Sequence, residues 1–177
     1  MPEHTIETER VYLRPFTFDD LDAFAVICSD QDVMRYIGAG RPLSREETQV
    51  RLNAIIEHRD KNGFGVWAAV DRSKSTLMGY CGLQFLDNTP EVEVGYRLAK
   101  RFWGMGLASE TAKASLRYGF EELSLGRIVA VVQPANIASQ RVLEKVGLRY
   151  VKDARFYNSE VKYYALTRED YQRDGST

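Results

Sequence analysis

Hydrophobic positions recur along the chain with two periods, and the change from one to the other divides it. Residues 11–14 alternate apolar and polar and run into Pro15, which predicts a short first strand. Thr17-Phe18-Asp19-Asp20 has the form of a capping box with Asp in place of Glu, and Leu21, Phe24, Ala25 and Cys28 follow at helical spacing. Residues 32–37 predict one more helical turn before the loop 38–42. Ser44-Arg45-Glu46-Glu47 is a second capping box. It opens a helix that carries Leu52, Ile55, Ile56 and Arg59 on one side and stops before Gly63. From there the period is two. Strands are predicted over 64–71, 77–86 and 91–98, divided by the turn-rich segments 72–76 and 87–90, and they read as an antiparallel meander. A long helix is predicted over 104–122, with Leu107, Ala108, Thr111, Ala112, Ser115 and Leu116 facing inward. RIVAVV at 127–132 reads as a buried strand broken by 133–136. A short helix over 137–146 ends at Gly147, a left-handed cap, and strands 148–157 and 161–167 close the chain as a hairpin around Asn158-Ser159.

Strand 91–98, the long helix and strand 127–132 form one βαβ unit, whose two strands must be parallel. The predicted class is therefore α+β, a mixed and mostly antiparallel central sheet with one parallel pair. With no internal repeat, low-complexity tract or linker, residues 1–177 read as a single domain.

Composition narrows the chemistry. The formal charge is −1 without a basic block, so nucleic acid is not expected as a partner. No apolar run approaches the roughly 20 residues that span a bilayer, and MPEHTIETER lacks the pattern of a signal peptide, so no membrane association is expected. Two cysteines, Cys28 and Cys81, are too few for a disulfide framework or a metal site. The expectation is a reduced, cytoplasmic, metal-free protein. His58 in mid-helix and His4 near the terminus read as surface residues, and Trp67, Phe85 and Trp103 as core.

The stretch KRFWGMGLASE at 100–110 carries the sharpest question. A helix starts here without the Ser, Thr, Asp or Asn that would bond its first amides. Glycines let a ligand approach the backbone, and the positive end of the helix dipole favours an anion. A nucleotide P-loop would need Lys followed by Ser or Thr after the second glycine, where Leu107-Ala108 stands. A dinucleotide fingerprint wants a third Gly or Ala, where Ser109 stands, and an acid near the end of the next strand, which ends in Gln133. The pattern Gln/Arg-x-x-Gly-x-Gly/Ala is met in full by Arg101-Phe102-Trp103-Gly104-Met105-Gly106.

With that motif the chain resembles the GNAT superfamily of acyl-CoA-dependent N-acetyltransferases, and within it the branch of bacterial ribosomal-protein N-terminal acetyltransferases. TERVYLRPFTFDDLDAF, GFGVWAAV, EVEVGYRLAKRFWGMGLASET and NIASQRVLEKVGLRYV carry the likeness over nearly the whole chain. The resemblance implies a GNAT fold with a splayed parallel strand pair and helices on both faces, and acetyl-CoA as co-substrate. It implies that the amides of Arg101, Phe102, Trp103, Gly104, Met105, Gly106, Leu107 and Ala108 hold the pyrophosphate. The backbone of Tyr96, Arg97, Leu98 and Ala99 would pair with the pantetheine arm, and an N–H near Leu98 would polarise the thioester carbonyl. Asn136 matches the asparagine that contacts the cofactor, and it also suits the N-cap of helix 137–146. Arg141, with Lys145, is placed for the outer phosphate, as any solvated helix face would be.

Acetyl transfer needs a neutral amine and a proton for the departing thiolate. The resemblance makes Glu93 the general-base candidate, at the place in EVEVGY where the family commonly has a carboxylate acting through water, with Glu91 on the same face by the period of two. The pattern breaks at Leu143, where many family members carry a tyrosine acid. In the resembling branch a serine in the preceding turn is implied in that role, and Ser139 matches it, as it also suits the first turn of helix 137–146; Tyr157, Tyr163 and Tyr164 are fallback donors. Tyr36 and Arg41 are placed by analogy at an acceptor groove. A lysine-like amine, pKa about 10.4, costs roughly 4–5 kcal/mol to deprotonate at pH 7, whereas an α-amine near about 8 costs about 1. The acceptor is therefore expected to be the α-amine of a protein or peptide N-terminus. A small-molecule amine and a non-catalytic acyl-CoA sensor are the alternatives. The assembly is expected to be a monomer or homodimer.

Overall fold

The computed structural model describes residues 4–175. Among them, eight strands form one sheet in the order β1-β2-β3-β4-β5-β6-β8-β7, with β1 Ile6–Glu7, β2 Val11–Arg14, β3 Val66–Asp71, β4 Leu77–Phe85, β5 Val92–Leu98, β6 Arg127–Val132, β7 Arg149–Phe156 and β8 Ser159–Thr167. Every neighbouring pair is antiparallel except β5–β6. The predicted meander is β3-β4-β5, and the predicted βαβ unit is β5, helix α4 (Leu107–Arg117) and β6.

Strand alternation sends side chains to two separate cores. Val66, Ala68, Val70 and Tyr80 pack on Phe24 and Ile27 of α1 (Leu21–Cys28), Val33 of α2 (Gln31–Met34), and Leu52 and Ile55 of α3 (Arg45–Asn62). Trp67, Ala69, Cys81 and Leu83 face the other way, onto Leu107, Ala112 and Leu116 of α4 and Leu143 of α5 (Ile137–Lys145). Helices thus cover both faces, as predicted. Each fully buried Leu or Phe contributes about 1.5–3 kcal/mol.

Local chemistry sets the helix starts. Ser44 Oγ accepts from the Glu47 N–H (3.1 Å), and the Glu47 carboxylate accepts from the Ser44 N–H (2.8 Å), completing the second capping box. At the first, Asp20 accepts from the Thr17 N–H (2.9 Å) and is clamped by Arg14 at 2.7 and 2.8 Å. Burial opposes ionisation of this carboxyl, but the bonds from Arg14 and Thr17 prevail and lower its pKa.

Several predicted bounds move, and two elements lie beyond the prediction. The long helix begins at Leu107 rather than 104, because Gly104 and Gly106 have φ of 71° and 77° and form a turn, and its last stretch, Tyr118–Glu122, widens to π geometry. The hairpin turns at Tyr157-Asn158, both left-handed, so that Ser159 already belongs to β8. Strand β1 and the C-terminal helix α6 (Arg168–Asp174) were not predicted. Among the described residues, no helix is long and apolar enough to cross a membrane.

The feature that positions the site is the β5–β6 junction. The two strands pair only at Glu93 and Val129. Beyond that point β5 stays bonded to β4 as far as Leu98, and β6 to β8 as far as Val132, while their shared edge opens.

Candidate active site

The turn after β5 is built to present backbone. Arg101, Trp103, Gly104, Met105 and Gly106 are exposed, no side chain caps α4, and open space surrounds the position a Cβ would take at Gly104. The turn is fastened from below. Arg10, in the β1–β2 turn, donates from Nη1 to the Met105 carbonyl (2.9 Å) and pairs with Glu110 (2.7 Å), which also accepts from Thr8 Oγ1 (2.6 Å). Trp103 Nε1 donates to the Leu98 carbonyl (2.8 Å), tying the turn to the end of β5. The indole expected in the core is 47% exposed.

The Ala99 N–H bonds back to Met78 of β4 (2.8 Å). By alternation the backbone groups of Tyr96 and Leu98 point to the opposite edge, into the splay. Uncapped amides at a helix N-terminus suit a diphosphate, and a strand edge opened next to them suits an amide-bearing chain. The residues present therefore fit CoA.

A cavity of about 430 Å³ lies at the splay. Glu93, Tyr96, Arg97, Asn136 and Ser139 line it, together with Tyr36 and Arg41 from the loop after α2. Of the residues expected to bind cofactor, Leu98, Ala99, Arg101 to Ala108 and Arg141 are not part of its lining. Arg141 is exposed on α5, and the glycine turn lies further along the chain from the β5 end of the cavity.

Glu93 is 5% exposed and, among the described residues, is the only carboxylate lining the cavity. Its Oε1 accepts from the Tyr157 hydroxyl and from Gln84 Nε2 (2.9 Å), and Arg51 Nη2 donates to Gln84 Oε1 (3.3 Å). Burial pushes its pKa above the usual carboxylate value; the bonds from Tyr157 and Gln84 pull it back without cancelling the effect. Tyr157 is held by the turn between β4 and β5, its hydroxyl accepting from the Asp87 N–H and its own N–H donating to Asp87 Oδ2, both at 3.0 Å. Burial and the neighbouring Glu93 charge push its pKa up, so it remains a phenol at neutral pH. Glu91, predicted on the same face, is instead bonded by the Tyr163 hydroxyl and does not line the cavity.

A second hydrogen-bonded pair also lines the cavity. The Ser139 Oγ and Tyr96 hydroxyl share a hydrogen bond of 2.8 Å, and the Ser139 N–H donates to Asn136 Oδ1 (3.2 Å). Asn136 is thus the N-cap of α5 and also faces the cavity. Burial raises the pKa of Tyr96. Leu143 borders the cavity as a buried hydrocarbon, and Tyr164 is turned to Glu144 (3.4 Å) away from it. Of the three fallback tyrosines, only Tyr157 reaches the cavity.

Gln84 and Arg51 were missed, since their approach to Glu93 depends on strand register and on α3 crossing β4. His58, expected on the surface, is half-buried: its Nδ1 meets the Phe64 carbonyl (3.1 Å) and its Nε2 accepts from the Phe85 N–H (3.3 Å), pinning α3 to the sheet. Cys81 is buried and its thiol is pushed up to about 11 by burial, which makes it inert at neutral pH.

Fold and cavity define an acyltransferase architecture, and the comparisons agree with it. The model of the acetyltransferase (GNAT) domain matches residues 10–149. The uncharacterised protein YkkB of Bacillus subtilis (strain 168) is 36% identical over 162 residues, covering 89% of this chain and 92% of its own. The putative ribosomal N-acetyltransferase YdaF of the same organism is 28% identical over 126 residues, 66% of each chain. A GNAT-family acetyltransferase from Bacillus anthracis superposes with a TM-score of 0.81 at 31% identity, over 94% of this chain and 99% of that one. The chain belongs to the GNAT acetyltransferases.

Proposed function

We propose that the chain, acting as one domain over residues 1–177, transfers acetyl from acetyl-CoA to the α-amine of a protein or peptide N-terminus by direct attack in a ternary complex. The observation that carries this reading is Glu93. A buried carboxylate with a raised pKa, facing the strand splay without another acid in the cavity lining, suits removal of one proton from an amine of modest basicity. A putative ribosomal N-acetyltransferase among the relatives points to the same acceptor class.

Bound in the splay, acetyl-CoA would supply an activated acetyl thioester. The amides of Arg101 to Ala108 would hold its diphosphate, and the Tyr96 backbone groups with the Leu98 N–H would align its arm. Glu93, oriented by Tyr157 and Gln84, would take the amine proton directly or through one water. Ser139, with Tyr96 behind it, would return a proton to the thiolate. Leu143 has no acidic hydrogen to give, and Tyr157 is engaged with Glu93, so this pair would act in its place.

Thiol release measured with a panel of amines tests the acceptor. A peptide α-amine should turn over faster than a lysine side chain, a polyamine or an amino sugar, and the reverse order would overturn the reading. Thermal stabilisation by acetyl-CoA without thiol release from any amine would indicate a sensor instead. For the acid, Ser139→Ala should lower kcat about tenfold at saturating substrates, because the Tyr96 hydroxyl remains behind the vacated position. An unchanged kcat would remove Ser139 from the mechanism.

A further inference from the structure

Arg97 sits two positions along the same strand face from Gly95 and four from Glu93. It is 5% exposed and lines the cavity. Its surroundings hold no counter-charge: Nη1 points at the Cys28 sulfur (3.2 Å), the guanidinium lies over the Tyr80 ring (5.1 Å), and Nε is buried without a hydrogen-bond partner. Among the described residues, no carboxylate lies within ion-pair distance of it. A guanidinium stays charged at any physiological pH, so burying one unpaired is costly unless something arrives to meet it. Arg41, by contrast, is already committed to Glu47 (2.6 Å). Between Arg97 and Glu93 the floor is bare, because Gly95 has open space where a side chain would stand.

We propose that Arg97 reads a carboxylate on the acceptor, separated from the reacting amine by at most about 13 Å, four strand residues at roughly 3.3 Å each. The inference rests on Glu93 marking the amine end of the cavity, as in the function proposed above. For a peptide acceptor it specifies an Asp or Glu side chain, or a free C-terminal carboxylate, within roughly the first four residues. The amine lies at the Glu93 end, the chain crosses Gly95, and the anion meets the guanidinium at its cavity side, where a small turn of the side chain would also bring in the unpartnered Nε.

Matched acceptors test this with the full-length protein and saturating acetyl-CoA, read by thiol release. One set is a C-terminally amidated peptide with Glu at its third position, the same peptide with Gln there, and the Gln peptide with a free C-terminus. A second pair, without an α-amine, is 5-aminopentanoate and its amide. The carboxylate member should have a kcat/KM about 10- to 100-fold higher, the size expected for a charge-assisted bond. Arg97→Met should erase that preference, leave acetyl-CoA affinity by calorimetry within about twofold, and keep or raise Tm, since no native ion pair is broken. Arg97→Lys, which retains the charge without the fork, should keep part of the preference and guards against a misfolded methionine variant.

Equal rates for acid and amide in the wild type would overturn the proposal while leaving the N-terminal acceptor intact. Turnover of the aminopentanoate pair alone, with the acid preferred, would overturn the N-terminal acceptor and support Arg97. A lower Tm with the preference unchanged would make Arg97 a structural residue. A loss of acetyl-CoA affinity would assign its side chain to the cofactor. Either result would end the proposal.

Discussion

Glu93→Gln lowers kcat by about 10²- to 10⁴-fold, the range for a positioned general base, while the fold is retained. The amide oxygen can still accept from Tyr157 and Gln84, so the local network survives. Only the basic site is lost. The pH dependence separates this from a structural effect. A base works when deprotonated, so kcat rises with pH through the Glu93 pKa, and burial places that limb above the ordinary carboxylate range. The variant should lack the limb and keep the later one set by the amine. Stability moves oppositely. Because the folded-state pKa is raised, the stability associated with Glu93 is present below its unfolded value and lost as pH rises through the folded one. At pH 7 the glutamine variant should therefore melt no lower than the wild type. A steady-state pH series and a thermal melt check both statements.

Gly106→Val weakens acetyl-CoA binding at least about 100-fold and lowers Tm by only about 2–8 °C. Gly106 has φ of 77°, a region that costs an ordinary L-residue roughly 1–2 kcal/mol and a β-branched one more. The valine would relieve that strain by turning the peptide units on either side, which are the ones that aim amides outward. The turn is exposed and little packing is lost, so the stability cost is limited to the strain and the Arg10 bond to the Met105 carbonyl, and the larger effect falls on binding. Calorimetry measures the affinity. Acetyl-pantetheine, which lacks the diphosphate, supplies the control: its KM should be the same in both proteins.

Most of the scaffold was readable because its signals are local. β2 and β6 have the predicted bounds, one closed by Pro15 and the other by 133–136. The α6 helix was missed although Thr167 caps it through the Asp170 N–H (3.2 Å), since its short polar run shows no helical hydrophobic period. The glycine turn was legible as an uncapped helix start. Its clamp was not, because Arg10 and Glu110 meet across 100 positions of chain. The same holds at the cavity. Glu93 could be named because the resembled family places a carboxylate at that point of EVEVGY, but Gln84 faces it only through the β4–β5 register, and Tyr157 reaches it only because two turns meet. The isolation of Arg97 is a property of everything around it, which no local pattern encodes.

In the proposed function one molecule of coenzyme joins the glycine turn to the cavity. A crystal structure of the protein soaked with acetyl-CoA measures this directly. The diphosphate is expected on the amides between Arg101 and Ser109, the arm along the open edge of β5, and the sulfur between Ser139 and Glu93. A diphosphate bound elsewhere, or a sulfur with neither residue turned toward it, would contradict it.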